Sequence, residues 1–398
     1  MPPAAVYYEI RRLVKEHLDP QVGGSTLERI TLLVMGIIGA RSASPAHIAK
    51  ALRMMGLSQA KAESIERRVR RIENDREVKA SLCFHSLARE HLLWGRAQRL
   101  LLIIDPTTKK DQVFMVCVSV WYRGRALPLA WVVWHANVPL TGARFWERIA
   151  DLLDEVARIL PQGAIVTWLA DRAFGTASFT DLVTSRGWHY VVRVQRHTQC
   201  RDRKGVECRV GNLVMQRSQR ARMMGQVFKK RGWRPASVVV YWSAGHSESL
   251  CLVSDLPPSW TLIYLYQRRY QIEAAFRDYK TSGWHWEQSQ VRDLAHIERL
   301  LVGMALATWI VLIVGAYVAG ELTARPPTGR RRTRPWDGKH SLFTMGLQRL
   351  HEWLSAWDVP KDFCWQLTDW DASNWQPQIG AHHSYAFIFG ERRCAHEA

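Results

Sequence analysis

Three carboxylates stand in contexts that let them share chemistry: Asp105, Asp171 and Glu273. Asp105 closes the apolar run RLLLIID that begins at Arg99, and Asp171 directly follows a second apolar run, Ala164 to Ala170. Continuous apolar runs of this length read as buried strands. Acids at the ends of adjacent strands meet at one edge of a sheet, where ligand sites commonly lie. Hard divalent cations such as Mg²⁺ or Mn²⁺ prefer oxygen donors of this kind. A third carboxylate, Glu273, on a helix laid across the sheet would complete a site for two ions. One ion would activate an attacking oxygen and the other would stabilise the leaving oxygen of a phosphodiester. Without cations, three clustered carboxylates would repel one another and raise their pKa values. Taken singly, each acid also has an ordinary reading: strand-end Asp residues are often caps, and Glu273 could be a plain surface residue of a helix.

The stretch around Glu273 strengthens the functional reading. It runs YLYQRRYQIEAAFRDYK, with Tyr266, Arg269, Glu273 and Lys280 spaced Y-x2-R-x3-E-x6-K. On a continuous helix these residues and Arg277 differ by three or four and form one stripe. A carboxylate flanked by Arg and Lys suits a metal-bound phosphodiester, since Arg269 can bond phosphate oxygens bidentately and Lys280 supplies a point charge. The alternative is a row of i,i+4 salt bridges.

The elements that must position these residues follow from the same patterning. Residues 1–98 read as a helical N-terminal unit. Ser25-x-x-Glu28 has the form of a capping box for the run Leu27 to Ile38. Ser44-Pro45 supplies an N-cap and an N1 proline for a helix from Ala46 to Met55, and Gln59 to Val78 carries Arg67, Arg68, Arg70, Arg71 and Arg76. Short helices with one basic member resemble a helix-turn-helix arrangement that enters a DNA groove; a solvated helical bundle is the alternative. Residues 99–194 follow as strands at Arg99–Asp105, Gln112–Tyr122 and Ala126–His135. A helix at Phe145–Leu160, a strand at Ala164–Ala170, a helix to about Ser185 and a strand at Trp188–Val194 complete the set. The order βββαβαβ is the skeleton of a ribonuclease-H-like α/β fold, although composition alone does not separate it from other α/β layouts. Residues 195–260 read as a β-rich insertion. Residues 261–322 return to helix, and 323–398 hold a basic, proline-rich linker (Arg325 to Lys339), one amphipathic helix (Ser341 to Trp357) and a tryptophan-rich end.

The 398 residues carry 55 Lys and Arg against 36 Asp and Glu, a net charge of +19, which points to nucleic acid phosphates or an anionic membrane surface. With 47% hydrophobic residues the chain can bury a sizeable core, which excludes wholesale disorder. Its 19 Trp could serve that core or stack on bases. Seven Cys without a CxxC pair fit reduced thiols and not a disulfide framework. His197, Cys200 and Cys208 lie close in sequence but lack a fourth zinc ligand. The stretch Met1 to Arg12 has no apolar h-region and is not read as a secretory signal. Leu300 to Gly320 is uncharged and long enough to span a bilayer, but its Gly303, Thr308, Gly315 and Gly320 favour a helix buried in a protein core. No membrane partner is expected.

The signature Tyr266-Arg269-Glu273-Lys280, with Asp105 closing LLIID-P-T and Asp171 opening DRAFG, resembles the YREK motif of DDE transposases in the insertion-sequence-four group. The resemblance covers about residues 25–320. It implies a ribonuclease-H-like core in which Asp105, Asp171 and Glu273 are the catalytic acids and bind two Mg²⁺ or Mn²⁺ ions. It also implies Tyr266, Arg269 and Lys280 as contacts to transposon-end DNA, and Trp242 as the candidate for stacking on a flipped base. The implied activity is binding of terminal inverted repeats, metal-dependent DNA cleavage and strand transfer, by a bacterial protein of the cytoplasm acting on nucleoid DNA. The implied partners are double-stranded DNA at transposon ends and target, and a second copy of the chain in a synaptic complex. The rival expectation is a transposase-derived DNA-binding regulator without cleavage activity.

Overall fold

The computed structural model describes residues 4–94, 98–324, 341–356, 359–361 and 363–367. The Arg325–Lys339 segment and the tryptophan-rich end beyond residue 367 lie outside these residues. The described chain begins with helices α1 (Ala4–His17), α2 (Gly24–Ala40), α3 (Pro45–Met54), α4 (Ala62–Glu73), α5 (Ala80–Cys83) and α6 (His85–Trp94). Ser44 and Pro45 take the N-cap and N1 places of α3, Pro45 as its fixed φ favours, while the Ser44 side chain makes no capping hydrogen bond. Ser25 and Glu28 do not form a capping box. Gly23 is the N-cap of α2, and Glu28 is drawn away by α1, accepting hydrogen bonds from Tyr7 and from Arg11 Nε at 2.6 Å. The basic helix α4 turns Ile65, Val69 and Ile72 inward and leaves Arg67, Arg68, Arg70 and Arg71 exposed.

The strands β1 (Arg99–Lys109), β2 (Val113–Tyr122) and β3 (Arg125–His135) form an antiparallel meander. Arg123 and Gly124 make the two-residue turn between β2 and β3, both at positive φ (45° and 80°), where Gly124 costs least. Helix α7 (Gly142–Ile159) crosses to β4 (Ile165–Ala170), and α8 (Ala177–Thr184) to β5 (His189–Arg193). Both β4 and β5 lie parallel to β1, which gives the sheet order β3-β2-β1-β4-β5, with the elements in the expected βββαβαβ succession. The strands β6 (Gln199–Asp202), β7 (Glu207–Arg209), β8 (Arg220–Val227), β9 (Arg234–Tyr241) and β10 (Leu250–Ser254) then extend the same sheet. Pairing of β10 with β5 carries the order on as β10-β9-β8-β6-β7, ten strands in all.

Alternation along the strands divides the core between the two faces of the sheet. Leu100, Leu102 and Ile104 of β1 and Trp168 and Ala170 of β4 face a large cluster containing α7, α8 and helix α11 (Leu294–Ala324). Leu101, Ile103, Leu169 and Val191 face a smaller cluster with α9 (Thr261–Gln267) and α10 (Gln271–Arg277).

Helix α11 is the one described helix long and apolar enough to span a bilayer, yet 94% of its most apolar stretch is buried in the fold. Gly303 lets α2 approach through Leu33 and Ile37. Helix α12 (Leu342–Ala356) crosses α11 backbone to backbone, with Gly346 against Val311 and Gly315 against Leu342. Thr308 accepts a hydrogen bond from Trp284 Nε1 at 2.9 Å, and Trp309 Nε1 donates to the Pro128 carbonyl at 2.8 Å. The small residues and Thr308 thus serve close packing within the protein.

A Gly346→Val variant should lose roughly 2 kcal/mol or more of stability, because its side chain meets the α11 backbone and not a flexible neighbour. Gly320→Ala, where a Cβ meets nothing, should not. Urea titration compares them, and equal midpoints would refute the tight crossing.

Burial pushes the His85 imidazole down to about 4 and that of His91 to about 3, with Arg158 and His17 respectively adding to the effect. Their folded pKa values lie below the unfolded value, so their contribution to stability is present above about pH 6.5 and lost as pH falls towards these values. The thermal midpoint should drop between pH 6.5 and 4, and His85→Gln should flatten that drop. An unchanged pH profile in the variant would contradict a buried neutral His85.

Candidate active site

The register of the parallel strands sets the site. Ile104 pairs with Ala170, and Ala170 with Val192, so Asp105, Asp171 and Arg193 fall in one row, at the ends of β4 and β5 and at the point where the parallel pairing of β1 stops. Strand β1 itself does not end at Asp105 as expected but runs on to Lys109, held by its antiparallel pairing with β2. Because Ile103, Leu169 and Val191 face the α9–α10 layer, alternation turns these three residues to that face as well. Gly175, in the turn after Asp171, packs on the backbone of Arg193 and Val194, where a Cβ has no room. That contact sets the DRAFG turn down on the end of β5.

The segment bearing the Y-x2-R-x3-E motif is not one continuous helix. A 3-10 turn at Arg268–Tyr270 separates α9 from α10, and a π-helical turn at Asp278–Ser282 follows. Tyr266, Arg269 and Glu273 nevertheless share the face over the strand ends. Arg269 donates from Nη1 to Asp105 Oδ2 at 3.0 Å and from Nη2 to Glu273 Oε1 at 2.9 Å. The Tyr266 hydroxyl reaches Asp171 Oδ1 at 3.4 Å. The Arg269 guanidinium also lies over the Tyr270 ring, 4.8 Å from its centroid.

Lys280 departs from the expected stripe. The wide π turn carries it around the axis, and its Nζ lies 3.8 Å from Glu287 Oε1. The turn is anchored by an ion pair of Asp278 with Arg125 of β3. Trp242, just after β9, is also placed otherwise than a free stacking face would be: Arg196 covers its ring at 4.9 Å and its Nε1 donates to the His246 carbonyl at 2.9 Å. Arg172, Arg193 and Tyr270 stand beside the acids without having been singled out from the sequence. Of these, Arg193 carried a usable signal, since it follows the apolar residues of β5 as Asp105 follows the run RLLLII.

Asp105 is buried, its side chain 11% exposed, while Glu273 is 53% exposed. Burial pushes the Asp105 carboxyl up to about 7, opposed by Arg269 and reinforced by Asp171 and Glu273. Burial disfavours the Arg269 charge, but Tyr266 and the three acids outweigh it and hold the guanidinium firmly protonated. One cation therefore serves three acids, and this edge still favours additional positive charge. A set of hard carboxylate oxygens fits Mg²⁺ or Mn²⁺ in type and charge. In placement, Arg269 stands between Asp105 and Glu273, and no group of three or more His, Cys, Asp or Glu among the described residues converges on one point. Joint coordination by the three acids requires Arg269 to release them. The i,i+4 salt bridge envisaged for this helix is present, as the Arg269–Glu273 pair.

Residues 145–310 match the family model for the transposase DDE domain. That match supports a DDE transposase, a protein of DNA transposition and recombination. It spans Asp171, Tyr266, Arg269, Glu273 and Lys280, and Asp105 precedes it. No curated protein matches the chain. Among solved structures, a cryo-EM structure of a piggyBac transposase synaptic complex with hairpin DNA is similar over 90% of this chain and 86% of its own, with 10% identity and a TM-score of 0.40.

Replacing Arg269 with Met should destabilise the fold by roughly 3 kcal/mol, since it strands the buried Asp105 without its partner. Adding Asp105→Asn should recover part of that loss. Chemical denaturation of the single and double variants measures it, and simple additivity would show that the two side chains are not coupled.

Proposed function

We propose that this protein is the transposase of a bacterial insertion sequence of the insertion-sequence-four group, built on a ribonuclease-H-like core. The observation that carries the reading is the gathering of Asp105, Asp171 and Glu273 around Arg269 and Tyr266 at the ends of the parallel strands. The transposase DDE domain match over residues 145–310 supports it, as does the excess of positive charge. In this reading the protein binds the terminal inverted repeats of its element in the bacterial cytoplasm and acts as a homodimer. Water attacks a phosphodiester at the element's end, breaking the P–O3′ bond and freeing a 3′-hydroxyl. That hydroxyl then attacks a phosphodiester of target DNA, joining the strands and releasing a new 3′-hydroxyl.

Asp105, Asp171 and Glu273 would hold two Mg²⁺ or Mn²⁺ ions, which would supply activation of the attacking oxygen and neutralisation of the leaving one. The chain's own groups do the rest. Arg269 offers two guanidinium edges that move from carboxylates to phosphate oxygens as DNA enters. Tyr266 donates to Asp171, and its burial keeps the phenol protonated as a donor. Lys280 and the exposed arginines of α4 add phosphate contacts, and Trp242 reaches a base once Arg196 leaves its face.

Asp105→Ala, Asp171→Ala and Glu273→Ala should each abolish Mg²⁺-dependent cleavage of the element's end DNA while leaving binding of that DNA within about threefold of wild type. Gel analysis of end cleavage and strand transfer is the test. Full strand transfer by any of the three variants would sink the assignment, and binding without cleavage by the wild-type protein would favour a regulatory role.

A further inference from the structure

One carboxylate at this edge belongs to neither the acid triad nor the pairing of the sheet. Glu248 sits in the connection between β9 and β10. Its Oε1 lies 2.6 Å from Arg193 Nη2 and 3.1 Å from Arg172 Nη1, and its Oε2 lies 3.3 Å from Arg172 Nη1. Arg172 directly follows Asp171, and Arg193 occupies the same register row as Asp105 and Asp171. Two guanidinium groups therefore converge on a single anion beside the acids. Arg193 is mostly buried, its side chain 13% exposed, whereas Glu248 at 35% and Arg172 at 36% are open to solvent.

The arrangement adds little as a structural staple. A half-open ion pair contributes modestly to stability, and β10 is already held by backbone ladders to β5 and β9. What the pair of arginines does define is a seat for two anionic oxygens, the pattern that carboxylate and phosphodiester share. Glu248 arrives there on a connecting loop whose other end carries Trp242, so it can leave without breaking a strand.

We propose that Arg172 and Arg193 form a seat for a DNA phosphodiester beside the acids, and that Glu248 occupies it as an internal counter-ion until DNA displaces it. The inference rests on the transposase reading for the identity of the anion. Glu248 then lowers affinity for phosphate in the free protein and keeps two arginines from attracting stray anions. Its displacement frees the loop next to Trp242 at the moment DNA arrives.

The test is the affinity of the full-length protein for a fluorescent random-sequence duplex, measured by anisotropy across a salt series, for wild type and Glu248→Gln. Glu248→Gln should bind about three- to tenfold more tightly at low salt. Its plot of log affinity against log salt should steepen by up to about one, because no displaced carboxylate takes up a cation. Glu352→Gln on α12 makes the same change in net charge away from the site and should shift affinity less than about twofold. In an Arg172→Gln/Arg193→Gln background, Glu248→Gln should give no gain. Unchanged or weaker binding by Glu248→Gln overturns the inference, as does a gain that survives loss of both arginines. Mg²⁺-dependent cleavage of end DNA by wild type is followed in parallel. Cleavage without the tightening counts against Glu248 alone, tightening without cleavage counts against the transposase reading alone, and no binding by any variant sinks both.

Discussion

A buried guanidinium is stable only when carboxylates or carbonyls meet most of its donors, and Arg269 meets this through Nη1 to Asp105 and Nη2 to Glu273, while its buried Nε has no hydrogen-bond partner among the described residues. Much of the architecture can be understood as what this bridge demands. Asp105 must emerge from a strand buried on both faces, which requires β1 to lie between antiparallel β2 and parallel β4. Glu273 must come from a helix that crosses the same strand ends, which requires the α9–α10 layer to cover one face while α7, α8 and α11 cover the other. The 3-10 turn at Arg268–Tyr270 brings Arg269 down between these two supports. The resulting cluster has three carboxylates around Arg269, and burial, with Asp171 and Glu273 adding to it against the opposing Arg269, pushes the Asp105 carboxyl up to about 7. A site of this kind is stable at rest and biased towards accepting cations.

The other face of the sheet supplies the rigidity. Helix α11 is apolar all round because it is surrounded: α2 on one side, β3 through the Trp309–Pro128 hydrogen bond, and α12 through the glycine crossing. Such a helix lets the N-terminal helices and the strand layer share one continuous core. The exposed arginines of α4 are thereby held in fixed relation to the acid row, and do not ride on a loosely tethered unit.

The two Asp positions were legible in the sequence because the signal is local, an apolar run that ends in Asp, but only Asp171 follows a strand end; β1 runs past Asp105 to Lys109 because β2 offers it a partner. The positions of Tyr266, Arg269 and Glu273 on one face were legible for the same reason, since three- and four-residue steps survive a short 3-10 turn. Lys280 lay beyond that reach. Past Arg277 the helix gives way to a π turn whose first residue, Asp278, pairs with Arg125 on a strand far away in sequence, a partner the local pattern does not contain. The Ser25–Glu28 cap failed likewise, because α1 offers Glu28 a charged partner that the local sequence does not contain. Nor did strand-like patches in 195–260 announce that β10 would pair with β5 and prolong the sheet. Glu248 beside Arg172 and Arg193 follows from that pairing and was invisible before it.

The excess of positive charge and the clustering of three acids, of which Asp105 is buried, answer to the same physics. Between β5 and α9, arginines are laid on tryptophan faces, Arg201 on Trp233, and Arg220 with Arg222 on Trp260. A guanidinium stacked on an indole keeps its charge and its in-plane donors while losing side-chain freedom to a surface that is already ordered. The half-exposed tryptophans thus fix cations in place without neutralising them. Where an acid is set among such arginines, as Glu248 is, it neutralises them, and where a single arginine is set among acids, as Arg269 is, the acids remain in excess. The chain therefore holds a predominantly positive surface around a small negative centre, the charge arrangement required to draw in a polyanion and then admit a cation beside it.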